Sequence, residues 1–185
     1  MRPWLNRVVM CALAVILSGP PPALAASEEA LALFFDQSFG NLREELETAR
    51  AEGKQGLFIM FDDPDCPWCH KMKTTVLSQP RVRDYYRRYF RTLRIDTRGD
   101  TLLTDFEGRE MAEKEFAAKV HRVRATPVFL FVGLDGQVLF RYTGQTRDAE
   151  EFLWLAEYVV SGAYRDKNYT VYKRERLAAT IRPTP

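Results

Sequence analysis

The sequence has 185 residues, 46% of them hydrophobic, which is enough for one well-buried domain and no clear second one. Its 27 lysines and arginines stand against 25 aspartates and glutamates, a formal net charge of +2. This balance, without a clustered basic face, speaks against nucleic acid as a partner.

Arg2 and Arg7 precede an apolar run from Val8 to Leu17, followed by Ser-Gly-Pro-Pro-Pro and Ala23-Leu24-Ala25. That order of charged, apolar and small residues predicts a secretory signal over residues 1–25, cleaved after Ala25. An uncleaved anchor is the alternative, although the run falls short of the roughly 20 apolar residues that span a bilayer. Cleavage removes two arginines and Cys11, leaving a formally neutral chain with two cysteines, Cys66 and Cys69. Two cysteines that close so small a loop make a poor structural staple.

Apolar residues at helical spacing predict helices over Glu28 to Gln37 and Asn41 to Ala51, with Asn41 as N-cap and Glu44 at the capping-box position. Leu57 to Phe61 reads as a buried strand, and a helix from Cys66 to Leu77 follows, stopped near Pro80. Val82 to Tyr89 is helical and Arg91 to Asp96 alternates like a strand. Thr97 to Met111, polar and broken by Gly99 and Gly108, reads as an excursion between core elements. Ala112 to His121 is a helix, Pro127 to Val132 a buried strand, and Gly133-Leu134-Asp135-Gly136 a hairpin turn into Gln137 to Tyr142. Asp148 to Val160 is a last amphipathic helix. Tyr164 to Pro185 is a short extension with a mobile end from Thr180. The order β, α, β, α, β, β, α implies a mixed sheet with helices on both faces.

Chemistry concentrates where the first strand gives way to a helix, at Cys66-Pro67-Trp68-Cys69-His70. A cysteine in the first turn of a helix faces free backbone N–H groups and the positive end of the dipole, which favours the thiolate. Cys66 is therefore the candidate nucleophile. Cys69, one turn on, can resolve a mixed disulfide by intramolecular attack. C-x-x-C between strand and helix is a thiol redox motif.

With Ala125-Thr126-Pro127 and a hairpin some sixty residues downstream, the sequence resembles the thioredoxin-fold proteins. Further stretches resemble the exported SoxW-like thioredoxins of bacterial sulfur-oxidation clusters: Asp65 to Met72 with Val76-Leu77 and Pro80, Thr104-Asp105-Phe106-Glu107-Gly108, and Tyr158 to Tyr164. The similarity spans roughly residues 55–170. It implies an α/β thioredoxin-like domain over 55–163, with a helical extension before it (26–54) and a short one after it (164–185). It also implies a periplasmic thiol–disulfide oxidoreductase that reduces partner disulfides through a redox-active Cys66–Cys69 disulfide. Pro127 would be cis, and Thr126, Pro127 and the exposed Trp68 would meet the partner, with Pro67 and His70 completing the motif. The implied partners are an oxidised periplasmic protein, in this group one of a sulfur-oxidation system, and a membrane thiol electron donor. No cofactor or metal is implied.

Two departures stand out. The buried aspartate that thioredoxins carry six residues before the first cysteine is Met60, so the proton of Cys69 must leave by another route. Asp62, Asp63 and Asp65 crowd the motif and should raise the pKa of Cys66 if they lie close, with His70 and Lys71 as offsets.

Rival readings remain. C-x-x-C-H is also the haem attachment motif, with His70 as axial ligand and Met60, Met111 or His121 as the second. Zinc would need His70 and His121 beside both cysteines. His121 alone is most simply a core residue or one favoured by a helix dipole. A DsbA-like oxidant would run the same chemistry backwards, and a thioredoxin fold without turnover would be a binding module. The lack of a large helical insertion leans towards a reductase.

Overall fold

The computed structural model describes residues 31–181. The expected signal over 1–25, Cys11 and the last residues 182–185 lie outside them.

Strand β1 (Gly56–Asp62) is the centre of the molecule, and all seven of its residues are buried. A strand covered on both faces reads as a continuous apolar run, which is why it was visible in the sequence. It pairs in parallel with β2 (Phe90–Asp96) and antiparallel with β5 (Val128–Gly133), which pairs with β6 (Val138–Thr143). The mixed sheet has the order β2-β1-β5-β6. The turn between β5 and β6 closes through Gly136 N–H to Gly133 O and through Asp135 Oδ1, which accepts from Gln137 N–H; Gly136 takes the positive φ of 79° that the turn requires.

Helices cover both faces. On one, Leu57, Ile59 and Phe61 pack with Leu42, Leu46 and Ala49 of α1 (Leu42–Ala51). Asn41 Oδ1 accepts from the N–H groups of Arg43 and Glu44, while its amide donates to Glu44 Oε1 at 2.8 Å, a side-chain version of the expected capping box. On the other face, Phe58 and Met60 pack with three helices. These are the redox helix α2 (Pro67–Met72), α3 (Pro80–Tyr89) and α5 (Ala149–Val160), the last capped by Asp148. Tyr86 stacks on Phe152 at 4.5 Å and donates its hydroxyl to the Phe152 carbonyl at 2.6 Å, tying α3 to α5.

Several elements differ from expectation. Residues 31–34 are helical, but the helix does not reach Gln37. Asp36 turns away to bridge the outer edge of β2, its N–H donating to Thr92 O at 2.7 Å and its carboxylate accepting from Thr92 N–H at 2.8 Å. The redox helix continues past Met72 as a π-helical turn, Lys73–Leu77, and Pro80 opens the next helix rather than only ending this one. The excursion holds a hairpin, β3 (Leu102–Thr104) with β4 (Glu110–Ala112). Its turn winds around the buried Asp105 carboxylate, which accepts from the N–H groups of Glu107 and Arg109 and from the Arg109 side chain. The helix expected to His121 is one turn, α4 (Glu113–Glu115), continued by a π turn, Phe116–Val120.

The C-terminal extension, expected to be short, is a helix, α6 (Tyr169–Ile181), reached through a 3-10 turn at Ala163–Arg165. Tyr169 and Tyr172 pack against Tyr158 of α5, and Lys173 pairs with the buried Glu151. Thr180 and Ile181, read in the sequence as the start of a mobile end, close this helix. Among the described residues no helix is long and apolar enough to cross a membrane.

Candidate active site

Cys66 is the N-cap of the redox helix. Its backbone is extended, Pro67 follows at the first helical position, and its sulfur accepts the N–H of Cys69 at 3.2 Å. The residue that ends β1's loop and begins the helix is therefore the one whose side chain meets the free donors of the first turn. Cys69, one turn further, points into the core and is fully buried, whereas Cys66 is partly open. Both are free cysteines.

The Thr126–Pro127 peptide is cis. It brings the Thr126 carbonyl to 3.4 Å from the Cys66 sulfur, so the loop before β5 and the tip of the redox helix face each other. Pro127 is buried, and its carbonyl is taken by Gly144 N–H at 2.8 Å, which fixes the loop to the end of β6. Trp68 is 51% exposed beside the two sulfurs, with Lys71 Nζ over its ring at 5.6 Å. His70 is exposed on the outer side of the redox helix.

The two thiols differ sharply. Burial pushes the Cys66 thiol up, but hydrogen bonds from Cys69, Thr126 and the N–H of Trp68 outweigh it and leave the thiol below its ordinary value. Burial pushes Cys69 up to about 12, aided by its hydrogen bond with Cys66. One sulfur, at an open surface, is shifted towards the thiolate, and the other, beneath it, is kept protonated.

The aspartates do not act as expected on Cys66. Asp63 and Asp65 are both paired with Arg98, and Asp62 is buried at the end of β1, held by Lys73 at 2.8 Å with Arg94 at 3.6 Å. Each carboxylate is paired with its own cations, hydrogen bonding sets the sign at Cys66, and the charge of Asp62 adds instead to the rise at Cys69. His121 also departs from one of its two readings. Its ring lies against Phe61 and Phe116, 5.4 and 4.6 Å away, and burial, with the nearby Arg141, lowers it to about 4. It is a half-buried histidine kept neutral against the core, although it does stand at the end of the Phe116–Val120 turn. His70 and His121 are not brought together with the cysteines, and among the described residues no three His, Cys, Asp or Glu side chains form a metal-sized cluster.

Asp62 is the residue the sequence placed least well. It follows Phe58 and Met60 by steps of two, so it shares their face of β1, the face on which the redox helix packs. Strand alternation was the signal that could have separated it from its acidic neighbours.

A cis-proline loop set against a C-x-x-C pair at the tip of a helix, on a four-stranded mixed sheet, defines a protein of the thioredoxin class. The chain belongs to the thioredoxin-like domain family, whose sequence profile matches residues 42–160. Among solved structures it is similar to a thioredoxin-fold protein from Helicobacter pylori, with 19% identity and a TM-score of 0.60, covering 84% of this chain and 94% of that one. It is also similar to a proposed disulphide-isomerase from Bacteroides thetaiotaomicron, with 27% identity and a TM-score of 0.53, covering 68% of this chain and 91% of the other. No curated protein sequence matches it.

Proposed function

We propose that the chain is a periplasmic thiol–disulfide oxidoreductase that works as a reductase of partner-protein disulfides. The observation that carries this reading is the asymmetry of the pair: Cys66 is open, lowered and set beside Thr126, while Cys69 is buried and held at about 12. The likeness to the Bacteroides protein supports disulfide chemistry. The Cys66 thiolate attacks one sulfur of a partner disulfide, and the other partner sulfur leaves as a thiolate and takes up a proton. Cys69 then loses its proton and attacks Cys66, closing the Cys66–Cys69 disulfide and releasing the second partner sulfur. Two electrons pass to the partner, and a membrane thiol donor restores them. Thr126 and Pro127 would hold the partner's extended chain by backbone hydrogen bonds, with Trp68 at its flank.

The expected export signal and the resemblance of several stretches to SoxW-like thioredoxins favour an oxidised periplasmic protein of a sulfur-oxidation system as the partner. Haem attachment fits the site poorly, because thioether bonds at both cysteines would require the fully buried Cys69 sulfur at a surface. The test is insulin reduction with dithiothreitol as donor. The wild-type protein is expected to turn over and Cys66→Ala to be inactive, while Cys69→Ala is expected to stop as a stable mixed disulfide through Cys66. Wild-type protein that leaves insulin oxidised, or a Cys69→Ala variant that traps nothing, rejects the proposal in favour of a non-catalytic binding module.

A further inference from the structure

Cys69 must lose its proton before its sulfur can attack Cys66. Its thiol is fully buried and pushed up to about 12, so bulk water at neutral pH is a poor acceptor. Asp62 stands where an acceptor is needed. It is 3% exposed and lies on the face of β1 that packs, through Phe58 and Met60, with Cys69 and Met72. Asp62 is near enough for its charge to add to the rise of the Cys69 thiol, which the N–H of Asp63 opposes. Lys73 follows Cys69 by four residues and its N–H donates to the Cys69 carbonyl, so the two side chains run along one side of the redox helix. Lys73 Nζ holds Asp62 Oδ2 at 2.8 Å, and Arg94 of β2 approaches the same oxygen at 3.6 Å. The other oxygen, Oδ1, is buried without a hydrogen-bond partner.

A carboxylate pinned through one oxygen and bare at the other can receive a proton there. Of the remaining charges nearby, Lys71 lies over the Trp68 ring and His70 is exposed on the outer side of the redox helix. Asp63 and Asp65 pair with Arg98, Asp96 sits opposite Asp62 in the β1–β2 register, and Glu113 lies beside Asp96 and Arg94.

We propose that Asp62 takes the proton of Cys69 in the resolving step, and that Lys73 then pairs with the new thiolate in place of the carboxylate. The proposal rests on reading the cysteines as a redox pair. The Cys69 S–H bond breaks and an O–H bond forms at Oδ1, so the summed charge of Asp62, Lys73 and Cys69 does not change. The thiolate then forms the Cys66–Cys69 bond while the partner sulfur leaves with its electron pair. Asp62 returns its proton to that departing thiolate or to water.

The test is a single turnover of the reduced full chain against glutathione disulfide, quenched in acid and read by intact mass, across about pH 6 to 9. Asp62→Asn is expected to form the glutathione adduct at Cys66 at the wild-type rate and to resolve it roughly a hundredfold more slowly at neutral pH. Its resolution rate should climb with pH across the range where the wild type is flat. Asp62→Glu should recover part of the rate with a displaced profile. An Asn variant that resolves the adduct like the wild type, with the same profile, overturns the assignment. If the Asn variant does not fold, an undisplaced profile in the Glu variant overturns it instead. A wild-type adduct that never resolves is a different failure, because it removes the redox reading itself and the assignment with it.

Discussion

Cys66 and Cys69 are three positions apart, yet one turn of helix takes the first sulfur to the free N–H groups at the helix tip and the second into the core. Burial has a similar result at His121, whose ring sits against Phe61 and Phe116 and whose pKa falls from 6.5 to about 4. In the fold it is neutral across that interval, while in the unfolded chain it takes a proton as pH drops below about 6.5. The unfolded state therefore binds more protons between these values, and stability is lost as pH falls through that window. A shift of this size is worth at most about 3 kcal/mol, and partial access to water brings the expected loss to about 1–2 kcal/mol. Urea unfolding at about pH 7 and about pH 4.5 should show this loss in the wild type and a smaller one in His121→Phe, which keeps a ring in the same packing. Equal losses in both proteins would assign the acid sensitivity elsewhere. The sequence could offer only alternatives at this position, because the choice between a neutral and a charged ring depends on Phe61, sixty residues away. The thiol pair was easier, since its chemistry is set by a junction that lies within one local stretch.

Among the elements, β1, β5 and the turn at Gly133–Gly136 were legible because each declares itself locally, as an apolar run or as glycine spacing. The π turns and the β3–β4 hairpin were not. Three-residue strands are too short to show alternation, and the hairpin is held by one buried carboxylate, Asp105, whose partners appear only once the turn exists. Helix α6 was missed for another reason: its inward residues are tyrosines, half apolar and half polar, which blur a helical stripe. Those rings nevertheless carry its packing. Tyr169 lies 5.4 Å from Phe140, 5.7 Å from Tyr142 and 5.4 Å from Tyr158, and its hydroxyl reaches the Glu151 carbonyl at 3.4 Å. Tyr169→Ala is expected to cost about 2 kcal/mol, less than a fully buried aromatic because this ring is only partly covered. Tyr169→Phe should cost under about 1 kcal/mol, since it gives up one weak hydrogen bond. Urea midpoints measure both. An alanine variant as stable as the wild type would mean that α6 adds nothing to the fold.

At the scale of the whole molecule the open issue is the direction in which electrons run, and this depends on how strongly the fold favours the dithiol over the disulfide. A strongly oxidising pair needs a reduced form stabilised by its thiolate. Here the Cys66 thiol is lowered by hydrogen bonds working against burial, and three of the cations around the motif are committed to carboxylates, Lys73 and Arg94 to Asp62 and Arg98 to Asp63 and Asp65, while Lys71 lies over the Trp68 ring. With those cations engaged elsewhere, hydrogen bonds rather than an ion pair carry the thiolate, and the reduction potential should lie nearer the roughly −270 mV of thioredoxin than the roughly −120 mV of DsbA. Equilibration of the protein against thiol buffers, with the reduced fraction read by alkylation, gives the value directly. The same argument requires the oxidised protein to unfold at a higher urea concentration than the reduced one, because a disulfide that is hard to reduce in the fold is one that the fold stabilises. A potential near roughly −120 mV, with the reduced form the more stable, would make the chain a donor of disulfides. The proposed membrane partner would then have to withdraw electrons from Cys66 and Cys69 instead of supplying them.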